Sequence, residues 1–283
     1  ESFLTRDGKP YSTVAGYDKK SFAEVFVDRD PRFAETFAYP GINNDVNGAK
    51  TYHIPNPQRG GYSVGKYFMR VHDREHFAGA SLGQYNGLSL YRYAEVLLNY
   101  AEAKAELGQL TDEVVSKTIN RLRDRVSMPH FNPSREVDAT LRSLYPNVAD
   151  EKLLALRRER RVELASEGFR QADINRWYAG KVYELNISKQ GIYVPSSPYV
   201  YTVPGFTNIG IGIAATQSAA TNAQVKWYYI DKEPGTYLEN GTSGFVRNTD
   251  DQNRHFDEPK DYYRPIPLLQ TVLNPNLTQP YGW

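Results

Sequence analysis

The chain has 283 residues and no cysteine, which rules out disulfides, thiolate metal sites and cysteine nucleophiles. With 34 Lys and Arg against 33 Asp and Glu, the net charge is +1, so the basic excess of a phosphate-binding protein is missing and nucleic acid is not an expected partner. The 22 Tyr outnumber the 12 Phe and 3 Trp combined, and tyrosine joins an apolar ring to a polar tip, which suits wet recognition surfaces as well as the packing of long loops.

The chain begins at Glu1 with no apolar leader, and no stretch reaches the length of a membrane-spanning helix; any signal or lipid anchor is expected outside these residues. Residues 1–86 are polar and turn-rich, with a short helix expected within Ser21 to Val27 and a strand from Tyr62 to Val71. His72 and His76 have helical metal-pair spacing, but Asp73 follows the first His where a zinc protease carries Glu, so both are read as solvent-exposed. Asp45-Val46-Asn47-Gly48 shares part of a calcium loop without its bidentate Glu at the twelfth position.

Residues 87–180 are helical. From Leu88 to Leu107, Leu90, Ala94, Leu97, Leu98, Ala101 and Ala105 form an apolar face, with Arg92, Glu95, Asn99, Glu102 and Glu106 opposite. Gly108 suits the stop, Thr111 the next N-cap, and Val115, Ile119, Leu122 and Val126 a second stripe, so an antiparallel helix pair is expected. One such tetratricopeptide-like pair needs neighbours to bury its faces, so partner helices are expected upstream. Asp150 is read as the cap of a helix to about Glu167, broken by Gly168, with a short helix from Phe169 to Tyr178. The charges from Arg157 to Glu167 can pair along a surface or form partly buried ion pairs. Residues 181–283 return to loops and short strands.

Several segments together resemble the SusD/RagB family. They are Asp28-Arg29-Asp30-Pro31-Arg32-Phe33, Gly61-Tyr62 with Lys66-Tyr67, the helix from Leu90 to Ala103, and Ile119 to Arg125. Arg157 to Arg170 with Asp173 to Trp177, Tyr262 to Pro267, and Asn274 to Trp283 complete the set in family order. Family members are much longer, so the resemblance implies that residues 1–283 are the C-terminal portion of one SusD-like domain; the stretch from about Lys181 to Asp257 matches no family pattern. It implies a mainly α fold, a tetratricopeptide-like helical scaffold with long loops and a few short strands. It also implies a noncatalytic, lipid-anchored protein of the outer-membrane surface that binds oligosaccharide for a SusC-like TonB-dependent transporter. A peptide-binding member and a transporter lid without its own ligand site are the alternatives. No cofactor or metal is expected.

A sugar site needs flat aromatic faces and planar polar groups. Two loop-rich stretches carry both, giving Tyr39, Asn43, Asn44, Tyr52, His53 and Arg59 in the first and Trp227, Tyr228, Tyr229 and Tyr237 in the second as candidate ligand contacts. The same aromatics also suit gluing loops to helices. Glu159, Glu163, Glu167 and Asp173 are interleaved with Arg, which favours ionised carboxylates over the general acid of a glycosidase. Gly205 and Gly210-Ile211-Gly212 lack the spacing of a phosphate-binding loop.

Overall fold

The computed structural model describes residues 1–39, 43–46, 49–52, 60–66, 89–185, 190–202, 208–219, 225–248 and 255–283. Its first helix, α1 (Pro31–Thr36), starts at Asp30, whose carboxylate accepts from the Arg32 N–H at 3.0 Å, with Pro31 in the first turn. The helix expected within Ser21 to Val27 is a single 3-10 turn, Glu24–Phe26. The strand expected from Tyr62 is, over 62–66, one isolated bridge between Phe37 and Val64; 67–71 and both His72 and His76 lie outside the described residues.

α2 (Tyr93–Glu106) starts later than its periodicity suggests: Leu90, assigned to the apolar face, precedes the helix and is exposed, and Arg92 occupies the N-cap. At the other end Gly108 (φ 66°) closes the helix, with Gln109 N–H donating to Lys104 O at 2.7 Å and Gly108 N–H to Ala105 O at 2.9 Å. Thr111 caps α3 (Asp112–Lys117) as expected. The stripe then breaks at Thr118 (φ −122°, ψ −87°) before α4 (Ile119–Arg125). The Thr118 hydroxyl donates back to the Val114 carbonyl at 2.6 Å, a side-chain bond that competes with the helical ladder. α5 (Pro133–Glu136) and α6 (Ala139–Leu144) lead to α7 (Glu151–Glu163), capped by Asp150, which accepts from Lys152 N–H at 2.8 Å. Gly168 (φ 87°) separates it from α8 (Arg170–Arg176).

Leu97, Leu98, Ala101 and Ala105 of α2 pack against Ile119 and Leu122 of α4 and Leu153 and Leu156 of α7. Each fully buried Leu or Ile contributes up to about 1.5–3 kcal/mol, and the alanines let the helices approach. Glu102, assigned to the polar face, is buried instead: Arg176 Nη2 donates to it at 2.6 Å and the Trp177 indole N–H also reaches it. On the side away from this core, Tyr93, Val96, Tyr100 and Leu107 form a second, exposed apolar stripe on α2.

The strands make a hairpin and two small sheets. β1 (Asn43–Val46) pairs antiparallel with β2 (Ala49–Tyr52). β3 (Gln190–Val194), β7 (Thr236–Leu238) and β8 (Gly244–Asn248) form one sheet in the order β3-β8-β7. β4 (Tyr199–Tyr201), β5 (Asn208–Gly212) and β6 (Val225–Tyr229) form the other in that order. Ile192, Val194, Ile209, Ile211 and Val246 meet Phe22 in a shared core. Gly61 (φ 86°) lets residues 60–66 approach β3: a Cβ there would lie 2.3 Å from Ile192 Cγ2. A last helix, α9 (Leu268–Leu273), exposes Leu268, Leu269, Val272 and Leu273. The architecture is mainly α with long connections and few short strands, as expected. No helix among the described residues is long and apolar enough to cross a membrane.

Candidate functional site

Strand alternation sorts the Trp227-Tyr228-Tyr229 run. Tyr228 joins Ile209, Ile211, Tyr199 and Tyr201 on the core side of the sheet, whereas Trp227 and Tyr229 share the opposite face. In the parallel β5–β6 register Trp227 lies beside Gly210 and Tyr229 beside Gly212. The glycines make room for the rings: a Cβ on Gly210 would stand 2.5 Å from the Trp227 indole, and one on Gly212 3.4 Å from the Tyr229 ring. The two rings are nearly parallel, 19° apart, with centroids 6.3 Å from each other. Tyr229 is buried, with the Lys232 ammonium 4.5 Å from its ring centroid; Trp227 is half-buried, and Val200, register partner of Gly210 on β4, is exposed. The result is a flat aromatic ledge. Such a surface offers a ring face and dispersion contact to a flat apolar ligand face, and nothing that moves protons.

The other sequence candidates lie elsewhere. Tyr237 sits on β7 opposite Arg247, on the other sheet. Tyr39 follows α1, with its ring centroid 6.3 Å from that of Phe26. Asn43 and Tyr52 are register partners in the β1–β2 hairpin, with Asn44 opposite Thr51. His53 and Arg59, and Asn47-Gly48 of the calcium-like run, lie outside the described residues. The glycine bed of the ledge was missed as a recognition feature; its signal is Gly-x-Gly matched in spacing by Trp-x-Tyr.

A second constellation gathers the charged family-like motifs. Arg32 donates through Nε and Nη2 to Asp30 and through Nη1 to Glu159 (2.6 Å) and Glu163 (3.1 Å). Arg123 bridges Glu136 and Glu159. Arg92 reaches Glu163 and Glu167, and Arg125 also reaches Glu163. Lys66 donates to the Glu163 carbonyl at 2.8 Å and to Glu167 at 2.5 Å. Of the two arrangements open to the α7 charges, buried ion pairs prevail, with Arg157, Arg158, Glu159, Arg160 and Glu163 all in the interior. A cavity of about 220 Å³ lies beside them, lined in part by Arg32, Glu35, Lys66, Arg92 and Arg125. Burial works against ionisation of Glu159, but Arg123 and Arg32 outweigh it and hold the carboxyl down at about 2. Glu163 and Glu167 are lowered in the same way, against their burial, by Arg32 and Arg92 for the first and by Arg92 and Lys66 for the second. These carboxylates are ionised at neutral pH and hold no proton for general-acid work. Among the described residues no three His, Asp or Glu side chains group as metal ligands.

Comparison with known proteins agrees with this architecture. The match to the SusD family runs over residues 1–283. A SusD-like protein, P38 of Formosa agariphila, is 35% identical over 149 residues, which is 52% of this chain and 24% of that protein. Two solved structures of a protein named BT4246, one of them the selenomethionine form, are similar over 100% of this chain, with TM-scores of 0.61 and 0.59 at 20% identity. That level of identity speaks for the fold alone. The chain covers 45% and 43% of those two solved chains, so it spans under half the length of its solved relatives and about a quarter of the curated one.

Proposed function

Because the chain belongs to the SusD family, we propose that it takes part in noncatalytic capture of oligosaccharide at the outer-membrane surface, for delivery to a SusC-like TonB-dependent transporter. In this reading a lipid anchor outside these residues holds it to the membrane. One observation carries the ligand class: the Trp227 indole packs closely over Gly210, its plane nearly parallel to the Tyr229 ring. A pyranose has an apolar face that stacks on such a ring while its hydroxyls remain available to polar neighbours. The noncatalytic part is supported by the ion pairing of Glu159, Glu163 and Glu167, which leaves none of these three a proton to donate to a leaving group.

A glycan array with the purified chain, run beside a peptide library, tests the proposal. Selective glycan binding without turnover supports it. Binding of peptides alone moves the protein to peptide capture, silence on both favours a transporter lid, and hydrolysis of a bound glycan overturns the noncatalytic reading.

A further inference from the structure

Tyr178 stands where a helix end favours glycine. Helix α8 closes with two bonds, Ala179 N–H to Ile174 O at 3.0 Å and Tyr178 N–H to Asn175 O at 3.1 Å, a closure that needs a left-handed residue at position 178. Gly108 fills the equivalent place after α2. Here the residue is a tyrosine with φ 51°, a costly conformation for a bulky side chain. Its ring stacks on Tyr262, with centroids 4.5 Å and planes 24° apart. Tyr262 is fixed in turn. Its hydroxyl accepts from Gly180 N–H at 2.6 Å and donates to Glu258 at 2.7 Å, and its ring meets that of buried Phe256 at an angle of 65°, centroids 4.9 Å apart. One face of Tyr178 is therefore covered, yet the residue is 52% exposed, which leaves the other face open to solvent. A stack of this kind is similar in size to the backbone strain, so stability of the fold gives tyrosine no advantage over glycine here.

Starting from the reading of the chain as a glycan binder, we infer that the open face of Tyr178 is a second pyranose-stacking site, separate from the Trp227 ledge. A sugar ring lies on the tyrosine, and its hydroxyls meet polar groups at the rim. Those groups are of the right kind. Asn175 lies one turn before Tyr178 on α8, and Gln171 one turn before that; the Gln171 amide donates to Asn175 Oδ1 at 3.2 Å and accepts from the Tyr183 hydroxyl at 2.8 Å. The Glu258 carboxylate, held by the Tyr262 hydroxyl, retains capacity to accept from further hydroxyls. Two planar amides and a carboxylate beside an open aromatic face supply what a neutral sugar requires, an apolar contact together with hydrogen-bond donors and acceptors. The polar rim also distinguishes this place from a helix-packing surface. The outer stripe of α2 and the face of α9 repeat apolar residues along a helix, whereas Tyr178 is flanked by Asn175, Arg176 and Lys181.

The test is fluorine NMR of the whole chain labelled with 3-fluorotyrosine, the Tyr178 signal being identified by its loss in Tyr178→Phe. The probes are methyl β-D-glucopyranoside and methyl β-D-galactopyranoside at millimolar concentrations, where a single stacking contact binds. Sorbitol, an acyclic polyol without a flat face, is the control. A saturable shift of the Tyr178 signal with a pyranoside, larger than with sorbitol and retained in Trp227→Ala, is expected. A second sample labelled with 5-fluorotryptophan reports on Trp227 under the same titration. A response at Trp227 with none at Tyr178 overturns the second site and leaves the glycan reading standing, whereas silence at both overturns both. A Tyr178 shift that disappears in Trp227→Ala is transmitted from the ledge and also overturns the second site, as does an equal shift with sorbitol. Tyr178→Gly checks that the ring is not kept for the fold: with strain relieved against stacking lost, its Tm should stay within about 3 °C of wild type. A larger fall assigns the tyrosine to stability and counts against the inference.

Discussion

Arg123 grips Glu136 through two parallel hydrogen bonds, Nη1–Oε1 at 2.6 Å and Nη2–Oε2 at 2.9 Å, with neither side chain more than 1% exposed. The second edge of the same guanidinium holds Glu159, so one cation ties α5 to α7 from its place on α4. Arg123→Met keeps the stem, takes the bidentate partner from the buried Glu136 carboxylate and leaves Glu159 with Arg32 alone. The expected loss is about 3–5 kcal/mol, read from urea unfolding. A loss under about 1 kcal/mol, within the range of exposed pairs, would show that the pair is not the clasp described.

The same network sets the acid limit of the fold. Glu159 is held at about 2 in the folded chain against an ordinary glutamate value of 4.5, so its ion pairs contribute fully above about 4.5 and are lost as pH falls through about 2. Glu163 and Glu167 are lowered too and act in the same direction. Stability should therefore fall steeply between pH 4.5 and 2, by on the order of 3 kcal/mol from Glu159 alone. Glu159→Gln should be less stable at neutral pH and should show a shallower acid slope. An identical slope in the variant counts against the assignment.

Much of this scaffold is legible in the sequence because caps and stripes are local signals. Thr111 and Asp150 begin α3 and α7 where their side chains can accept free N–H groups, and Gly108 ends α2 where a positive φ is needed. The break at Thr118 is not legible, since a hydroxyl bonding back to Val114 O looks like any threonine in a stripe. Burial of Glu102 is not legible either, and for the α7 charges the sequence leaves a surface row and partly buried ion pairs equally open. A run of charges reads as a solvated face until partners distant in sequence, Glu102 for Arg176 and Arg32 for Glu159, are placed beside it. In the ledge, tyrosine content pointed to Trp227, Tyr228 and Tyr229 alike. Only the pairing of β5 with β6 separates Tyr228 from its neighbours and shows why Gly210 is glycine.

The two apolar stripes of α2 should differ sharply in mutational cost. Leu98 is 0% exposed in the α2–α4–α7 core, and Leu98→Ala should cost about 2–5 kcal/mol. Val96, two residues earlier, is 55% exposed, and Val96→Ser should stay within about 0.5 kcal/mol. Chemical denaturation of the two variants decides it. Equal losses would mean that the outer stripe is covered in the folded chain.

Gly210 offers a way to disturb the ledge while keeping its tryptophan. A Cβ at this position meets the indole carbons at 2.5 Å, so Gly210→Ala must lift or turn the Trp227 ring. A changed near-UV circular dichroism band with an unchanged far-UV spectrum is expected. Should the near-UV band match wild type, the close approach is not present in solution.

Trp227 itself provides the direct test of the ledge as a ligand surface. Truncation to Ala removes the half-buried ring that can face a sugar, whereas Tyr229 is buried beneath Lys232 and Tyr237 lies on the other sheet. Trp227→Ala should weaken binding of an array-selected glycan by about tenfold, equivalent to about 1.4 kcal/mol and in the range of a single aromatic stacking contact. Tyr237→Ala should leave that affinity within about twofold, because a side chain outside the ledge loses no stacking contact there. Isothermal titration of both variants, each checked for native far-UV dichroism, separates a local contact from a general loss of fold. Unchanged affinity in Trp227→Ala removes the ledge from the site, and an equal loss in both variants shows that the ligand reaches beyond the β4–β5–β6 sheet.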